Sequence, residues 1–449
     1  MNTKDTPLNY HILIKFFLPL AVFPVLVALS HTVINSALAR MPLPELSIAI
    51  FTVVKSVTNI INGPSIMTRQ LFTSIIEDKR SYYLSRNFAF VLMFILFALL
   101  MTLSISPIGD FVFEHIVGLQ TQKEVDLATS AMMVTAFLPI VVVMRNAYQG
   151  IATGLKKTLL IVPGVVLRVV GMALFLWWVV KTNSINGVIA GCLAYVLGIA
   201  LEGIFILGGL KSKLGSIINA VKKMPPSDFD KENLDYYKIL KFFLPLAFTI
   251  MITMFIQPVI QSGLARSTSP VRSLAAYGVA WTLVTMIAGP LRMLHQISLV
   301  YHNSEENMRK IKIFNLSLAA ITSILIVMFA LSPVGYFVLH NIISVSHDIT
   351  LLAQKVILAF AVFPLARALR ETYWGMMMKK RSTPLIAKAK GLNLFAVVLS
   401  LVVLLGFINI YFNIEPAVLG AVVFTIGEFL ESFIIIRKSK NIENVALWN

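Results

Sequence analysis

The heptapeptide Lys15–Ala21, Lys-Phe-Phe-Leu-Pro-Leu-Ala, recurs letter for letter 226 residues later as Lys241–Ala247. At the same offset, shorter motifs also return: Leu38-Ala39-Arg40 as Leu264-Ala265-Arg266, Gly63-Pro64 as Gly289-Pro290, and Ser106-Pro107 as Ser332-Pro333. The offset then changes slightly, first to 225 and then to 229. It pairs Pro139, Arg145, Tyr148 and Gly150 with Pro364, Arg370, Tyr373 and Gly375, and Gly191, Gly198 and Glu202 with Gly420, Gly427 and Glu431. The chain is therefore a tandem duplication.

The composition is that of a membrane protein. Of its 449 residues, 57% are hydrophobic and 13% charged, whereas a soluble protein carries about 25% charged residues. The apolar residues run in blocks of about 20, the length of a helix that crosses a bilayer. Twelve such blocks are predicted, at residues 12–36, 46–64, 87–105, 128–150, 158–180, 186–208, 238–262, 273–299, 313–331, 350–376, 385–408 and 416–436. We therefore predict an all-α polytopic membrane protein of twelve transmembrane helices.

The basic residues indicate the orientation of these helices. They flank alternate ends, and one side has only Arg40, Lys123, Lys181, Arg266 and Arg272. The richer side, in which we include Arg69, is predicted to be cytoplasmic. Both termini are then predicted to be cytoplasmic. We expect the protein in the cytoplasmic (inner) membrane of the cell. The net charge of +17 is thus a topology signal, and no nucleic-acid partner is expected.

The repeat also predicts the domain organisation. Each repeat has an even number of helices and so starts and ends on the same side, which makes the two lobes parallel rather than inverted. We predict an N-terminal six-helix lobe at residues 1–210, a cytoplasmic linker at 211–237 and a C-terminal six-helix lobe at 238–449. A monomer is expected.

Two charged positions recur in both lobes. Arg145 matches Arg370 in the fourth and tenth helices, and Glu202 matches Glu431 in the sixth and twelfth. One interpretation is an Arg–Glu pair inside each lobe that satisfies two buried charges. The alternative is a cytoplasmic gate, or a carboxylate that takes up a coupling proton.

Other polar residues occur in one lobe only, and these are the better candidates for a substrate site. Thr52, Lys55, Asn59 and Asn62 form one helical stripe, whereas the counterpart of Lys55 is Trp281. Arg168 has Asn393 as its counterpart. We predict that Lys55 and Arg168 face a central cleft. The alternatives are Lys55 paired within its lobe or reaching the membrane surface, and Arg168 paired with Glu202.

The first and seventh helices carry matched polar pairs. His31 and Asn35 lie four residues apart, and Gln257 and Gln261 occupy the matching positions. We expect both pairs to line the same cleft, although interhelical hydrogen bonding is the simpler explanation. Lys388 and Lys390 are expected to extend to the cytoplasmic surface.

The sequence lacks the motifs of soluble enzymes. It has no Gly-Lys-Ser/Thr phosphate loop, no His/Cys cluster with metal-ligand spacing and no Gly-x-Ser-x-Gly elbow. We therefore predict no enzymatic activity, no metal and no cofactor.

Several segments resemble a known group of exporters. They are Lys15–Leu20 leading to Asn35, Tyr277–Trp281 followed by Gly289-Pro290, Leu299–Ser304, Gln257-Pro258 through Arg266, and Lys156-Lys157-Thr158 with Pro163 and Arg168. The chain resembles the superfamily of multidrug and toxin extruders, lipid-linked oligosaccharide flippases and polysaccharide exporters, and within it the progressive ankylosis protein family. This resemblance implies export of a small polyanion such as pyrophosphate, citrate or a nucleotide. Some family members carry Glu and Arg where this chain has His31 and Gln257.

The sequence thus predicts a secondary transporter that works by alternating access. Its substrate is a small anion held by Lys55 and Arg168, with polar contacts from His31, Asn35, Asn59, Asn62, Gln257 and Gln261 and with Trp281 in the cleft. A proton or a sodium ion can serve as the coupling ion. The alternatives are a flippase for a lipid-linked oligosaccharide or polysaccharide precursor, multidrug efflux, and a membrane scaffold that transports nothing. Multidrug efflux is disfavoured because the first and seventh helices contain no Asp or Glu.

Overall fold

The computed structural model describes residues 8–117, 119, 121–215, 219, 234–343, 345–405 and 414–446, and every regular element in these ranges is helical. Most of the predicted linker, at 216–218 and 220–233, lies outside the described residues. Eleven helices in the described part are long and apolar enough to cross a membrane. Pro270–Ile287 and Gly289–Tyr301 are together apolar enough for a twelfth span and are bent by 58° relative to each other. The all-α membrane fold predicted from the sequence is confirmed.

The described part of the first half of the chain contains nine α-helices. They are α1 (Tyr10–Leu38), α2 (Pro44–Ile66), α3 (Thr68–Ile75), α4 (Lys79–Ile105), α5 (Pro107–Phe111), α6 (Gln122–Thr135), α7 (Leu138–Gly154), α8 (Ile161–Thr182) and α9 (Gly187–Leu214). A π-helical segment, Val112–Val117, follows α5, and a 3-10 turn, Thr158–Leu160, precedes α8.

The second half repeats this order. It contains α10 (Tyr236–Leu264), α11 (Pro270–Ile287), α12 (Leu294–Tyr301), α13 (Glu305–Leu331), α14 (Pro333–Phe337), α15 (His347–Ala359), α16 (Phe363–Lys379), α17 (Thr383–Val403) and α18 (Pro416–Ala446). Short 3-10 segments, Gly289–Met293 and Phe360–Val362, precede α12 and α16, and a π-helical segment, Val338–Ile342, follows α14.

The chain divides into two compact units. Leu18–Ala247 form the N-terminal unit, and residues 8–17 with 248–446 form the described part of the C-terminal unit. In the N-terminal unit α3 packs on α7, α7 and α8 pack on α9, and α2 packs on α6. In the C-terminal unit α12 packs on α16, α16 and α17 pack on α18, and α11 packs on α15. Each unit therefore pairs its helices in the order that the repeat predicts.

The recurring Ser-Pro-x-Gly motif explains one shared corner. Ser106 and Ser332 precede the prolines that open α5 and α14, where proline fits the first helical turn. A Cβ on Gly109 would collide with the carbonyl oxygen of Leu103, and a Cβ on Gly335 with that of Phe329. Only glycine permits this tight turn, which is why it recurs in both repeats.

Apolar side chains form both the core and much of the surface of the N-terminal unit. Buried residues such as Ile34, Phe51 and Leu176 form a continuous core, whereas Leu174 and Trp177 on α8 are 62% and 63% exposed. Exposed apolar side chains on long helices are what a lipid environment requires. Polar groups inside such a unit must find internal partners, and these partners define the candidate site.

Candidate functional site

A single buried carboxylate lies at the centre of the N-terminal unit. Glu202 of α9 is fully buried, and its Oε2 lies 3.5 Å from Arg145 Nη1 and 3.4 Å from Arg168 Nη1. Its Oε1 accepts a hydrogen bond of 2.5 Å from Gln149 Nε2. Three helices, α7, α8 and α9, therefore converge on one negative charge. Because Arg145 and Arg168 share the same carboxylate oxygen, the positive charge at this point exceeds the negative.

A third guanidinium joins the same site from α3. Arg69 is 5% exposed, donates to Gln149 Oε1 and lies 4.7 Å from the ring centre of Phe23. We call Arg69, Arg145, Arg168 and Glu202 the N-terminal charge cluster. Within the described residues, it contains three guanidinium groups and one carboxylate.

The polar stripe on α2 leads into this cluster. Thr52, at its start, is exposed, and Asn62, at its end, is buried. Asn62 Oδ1 accepts a hydrogen bond from Ser65 Oγ, and the Ser65 carbonyl accepts one from Asn146 Nδ2. Asn146 Oδ1 in turn accepts from Arg145, at 2.9 Å for Nη2. The stripe is thus continuous with the buried arginines.

Lys55 adds a positive charge to this region, in which His31 also lies. The Lys55 ammonium is half-buried, 5.9 Å from the ring centre of Phe51, and no carboxylate in the described part of the chain is within ion-pair distance of it. The His31 ring lies 5.4 Å from the Tyr195 ring, and the Arg168 guanidinium lies 5.8 Å from the same ring. The charged groups that act on His31 are Lys55 and Arg168, both cationic. Like charges held this close in a poorly screened environment favour the arrival of an anion.

The C-terminal unit has a corresponding cluster with a different charge balance. Arg370 on α16 is 2.8 Å from Glu428 Oε1, 2.5 Å from Glu371 Oε1 and 3.5 Å from Glu431 Oε2. Arg367, one turn earlier, places Nε 3.1 Å from Glu428 Oε2. One arginine therefore contacts three carboxylates, whereas at Glu202 one carboxylate contacts two arginines.

Helix α17 contributes the third cation of this cluster. Lys390 is 1% exposed, with its Nζ 2.8 Å from Glu431 Oε2, and Asn393 Nδ2 donates to the same oxygen at 2.8 Å. His295 of α12 contacts Glu371 at 2.7 Å. We call this the C-terminal charge cluster; its ionised groups are Arg367, Arg370, Lys390, Glu371, Glu428 and Glu431. These three cations and three anions pair with one another. Arg292 of the 3-10 segment Gly289–Met293 also acts on Glu371 and Glu428, so the C-terminal cluster carries a smaller excess of positive charge than the N-terminal one.

Aligned positions of the two repeats show which residues make the two clusters differ in charge. At the repeat offset Asn393 replaces Arg168, and Glu371 replaces Asn146. His295 likewise replaces Arg69. Each of these changes makes the N-terminal unit more positive than the C-terminal one, and Lys55, matched by Trp281, has the same effect.

Comparison with known proteins agrees with this architecture. Residues 227–443 match the family model described as Progressive ankylosis protein (ANKH). This match covers slightly less than half of the chain, so the likeness to that family is one of the second repeat. Three similar structures illustrate the fold. One is titled as the outward-facing conformation of a multidrug resistance MATE family transporter of the MOP superfamily (TM-score 0.73, 15% identity, 97% of this chain and 96% of that chain covered).

The second is a MOP superfamily transporter from Pyrococcus furiosus, described by a "reverse polarity of binding pocket" (TM-score 0.72, 14% identity, 98% and 96% covered). The third is the eukaryotic MATE transporter AtDTX14 (TM-score 0.70, 12% identity, 96% and 95% covered). At these identities the likeness shows the fold of this chain, and its substrate must be inferred from the chemistry of its own residues.

Two expected ion pairs form in this chain. Arg145 and Glu202 are 3.5 Å apart, and Arg370 and Glu431 are also 3.5 Å apart, each pair within its own unit. Arg168 also pairs with Glu202, as the simpler interpretation of that residue predicted. A gating or coupling role for these four residues stays a prediction.

Two basic residues were assigned wrongly from the sequence. Arg69 was expected in a cytoplasmic loop, but it lies on the short helix α3, which packs on α7 and buries the guanidinium beside Gln149. Lys390 was expected to extend to the surface, but it is buried because Glu428 and Glu431 face it from α18, at 3.6 Å and 2.8 Å. In both cases the burial depends on a partner distant in sequence.

Sequence reasoning also missed several members of the clusters, namely Gln149, Asn146, Arg367, Glu371, Glu428 and His295. A signal for them existed in helical spacing. Gln149 is four residues from Arg145, and Glu428 is three from Glu431, so each shares a helix face with a residue already singled out.

The remaining candidates are placed as follows. Asn35 and Gln261 are exposed, and Asn59 is half-buried. In the C-terminal unit Gln257 accepts a hydrogen bond from the Tyr277 hydroxyl at 3.1 Å, and Trp281 packs against Phe360 and Phe424 with ring centres 5.6 Å and 4.6 Å away. Contact of these residues with a substrate stays a prediction.

Proposed function

We propose that this protein is a secondary active transporter of a small polyanion, working by alternating access across the cell membrane. The observation that carries the proposal is the charge excess of the N-terminal unit. Arg145 and Arg168 share Glu202, while Lys55 has no acidic partner among the described residues. A polyanion would supply the missing negative charge. Pyrophosphate, citrate and nucleotides are the candidates because each carries several ionised oxygens.

The types of residue support an anion rather than a hydrophobic cation. Lysine acts as a point charge suited to phosphate, and arginine can grip phosphate or carboxylate through two donors. A cationic drug would be repelled by Lys55 and Arg168. The similar Pyrococcus furiosus transporter, described by a pocket of reversed polarity, shows that a pocket of altered charge occurs on this fold.

Multidrug efflux is the second candidate because a multidrug transporter shares the fold. A flippase is the third, since the pyrophosphate of a lipid-linked sugar needs the same cations. We propose both termini to be cytoplasmic, consistent with the basic residues that flank the helices.

The test is counterflow in proteoliposomes. Vesicles holding purified protein and unlabelled pyrophosphate, citrate or ATP would be diluted into the corresponding labelled anion, with ethidium as the cationic probe in a parallel series. Accumulation of at least one anion, and none of ethidium, is the expected result. Ethidium exchange without anion exchange would overturn the proposal in favour of multidrug efflux.

The flippase alternative needs its own measurement. Cells with and without the gene would be compared for extracellular organic anions and for lipid-linked sugars. A lower extracellular anion level in cells that lack the gene is expected. Accumulation of a lipid-linked sugar with unchanged anions would favour the flippase.

A further inference from the structure

We propose that a groove between α15 and α18 of the C-terminal unit binds one acyl chain of an anionic phospholipid, and that the phosphate of this lipid contacts Arg437. This lipid site is separate from the candidate substrate residues and independent of the substrate that the protein carries. It is defined by the lining of the groove, by its length and by a charge at its end.

The groove has an apolar lining. It measures about 540 Å³, and its walls include Ala359 and Val362 on one side and, on α18, Val422, Ile426, Phe429 and Phe433. The polar residue of the lining, Thr425, donates its hydroxyl to the Ala421 carbonyl at 2.8 Å. Because a polar ligand would lose its hydrogen bonds to water against such walls, the lining favours a hydrocarbon chain.

The wall opposite α18 is formed where a membrane span is irregular. Ala359 is the last residue of α15, and Val362 ends the 3-10 segment that precedes α16. The small side chain of Ala359 leaves space beside α18, and Val362 is 49% exposed. The interruption of the helix and a small side chain together account for the concave shape.

The groove side of α18 is turned away from the helices that carry the candidate substrate residues of this unit. A Cβ on Gly420 would lie 3.2 Å from Tyr277 and 3.3 Å from Leu264, so this face of α18 meets α11 and α10. At about 100° per residue, Gly420 lies on the side of α18 opposite Phe429 and Phe433. Those two phenylalanines are 38% and 60% exposed. An exposed apolar face on a membrane-spanning helix is a face for lipid.

The length of the groove matches one leaflet of a bilayer. From Val422 to Phe433 the helix rises about 16 Å, and the hydrocarbon of one leaflet is half of a total of about 30 Å. The spanning part of α18 ends at Ser439, so the Phe433 end of the groove is the end nearer the membrane surface. One acyl chain that enters from this surface would fill the groove.

A cation lies just beyond the surface end of the groove. Arg437 follows Phe433 by one helical turn, on the same stripe, and it is exposed. In the described part of the chain no carboxylate lies within ion-pair distance of it. The matching position in the first repeat is Gly208, so α9 lacks a charge there. Arginine binds phosphate through two donors, and anionic lipids are concentrated in the cytoplasmic leaflet, the side predicted for this end of α18.

Native mass spectrometry tests the headgroup. Purified, delipidated protein in detergent would be titrated with phosphatidylglycerol and, separately, with phosphatidylcholine that has the same acyl chains. We expect phosphatidylglycerol to bind more tightly, and Arg437→Gln to weaken its binding about fivefold, the effect of one basic residue at a membrane surface. Lys438→Gln is the matched control because Lys438 is also exposed but lies on the side of α18 opposite Phe429. It should bind as the wild-type protein does.

A photoreactive lipid tests the groove itself. Phosphatidylglycerol with a diazirine in one acyl chain would be cross-linked to the protein, and the labelled peptides would be mapped. We expect labelling within Val422–Phe433 and around Val362. Val362→Trp should fill the groove and reduce this labelling, whereas Val398→Trp on α17, where the valine is 43% exposed, should leave it unchanged.

Several results would overturn the lipid site. They are equal affinity of the wild-type protein for the two lipids, equal weakening by Arg437→Gln and Lys438→Gln, and labelling confined to other helices. Unchanged labelling in Val362→Trp would do the same. If this variant has a lowered Tm, the map of labelled peptides in the wild-type protein decides. Anion transport is tested separately by counterflow, so the two proposals can fail independently.

Discussion

Arg168 and Glu202 form an ion pair of 3.4 Å inside the N-terminal unit, at the position where Asn393 donates to Glu431 at 2.8 Å in the C-terminal unit. Both contacts join the equivalent pair of helices. The donor is a charged guanidinium in the N-terminal unit and a neutral amide in the C-terminal unit. Lys390 supplies the cation that Asn393 lacks, and it has no basic counterpart in the first repeat. With Arg292 included, the C-terminal cluster still has a smaller excess of positive charge than the N-terminal one.

Lys55→Ala should abolish anion counterflow while the protein is still made and inserted normally. The half-buried ammonium has no acidic partner among the described residues, so its loss leaves no opposite charge unpaired. Lys55→Arg should retain part of the activity because the charge survives in a different shape. The control is Lys181→Ala at the end of α8, where the lysine lies 5.4 Å from the Trp177 ring. Wild-type counterflow in Lys55→Ala would rule out a role for this charge.

Arg168→Asn installs the residue of the second repeat and should preserve the fold while weakening anion binding. Glu202 would keep Arg145 and the hydrogen bond from Gln149. Loss of one nearby cation should raise the Kd by about tenfold or more, which corresponds to about 1.4 kcal/mol. Titration of the purified protein with pyrophosphate or citrate measures this. Unchanged affinity together with normal thermal stability would show that Arg168 serves only as a partner of Glu202.

Glu202→Gln should destabilise the protein more than Glu431→Gln. Removing the Glu202 charge leaves Arg145 and Arg168 buried without their carboxylate, a change that costs about 3–5 kcal/mol. Removing the Glu431 charge leaves Arg370 and Lys390 with Glu428, at 2.8 Å and 3.6 Å. Thermal unfolding of both variants in detergent provides the comparison. Equal shifts in Tm would contradict the charge difference between the units.

Gly150→Ala should disrupt the packing of α3 on α7. A Cβ at this position would lie 2.6 Å from the Arg69 carbonyl oxygen and 2.7 Å from Phe72 Cβ, and the backbone oxygen cannot move without moving the helix. We expect a loss of about 1–3 kcal/mol, the usual range for overpacking, together with a displaced Arg69. Gly208→Ala on α9 is the matched control, since nothing lies within 4 Å of its Cβ position. A Tm of Gly150→Ala equal to that of the control would contradict the close approach.

Lys156→Gly should stabilise the protein. Lys156 lies two residues after the end of α7 and has φ of 59°, and its repeat counterpart Arg381 lies two residues after the end of α16 and has φ of 55°. Left-handed backbone costs a side-chain-bearing residue about 1–2 kcal/mol, and glycine avoids this cost. The control is Lys157→Gly, whose φ is −100°, where no such gain is expected. A lower Tm for Lys156→Gly than for Lys157→Gly would show that the lysine side chain makes a more important contact.

The sequence alone determined the class of this protein. Apolar blocks of about 20 residues require helices in a membrane, and the heptapeptide at Lys15 and Lys241 indicates the repeat, because both features depend only on neighbours along the chain. The pairs Arg145–Glu202 and Arg370–Glu431 followed from their joint recurrence, and Lys55 was identified from its place on a polar stripe.

The charge balance of each unit was decided only by the tertiary structure. Whether Arg69 meets water or Gln149 depends on the packing of α3 on α7. Whether Lys390 extends to the surface or pairs with Glu431 depends on which face of α18 packs against α17. Burial joins groups that lie far apart in the sequence, and the energy of a charge depends on such partners more than on its sequence neighbours.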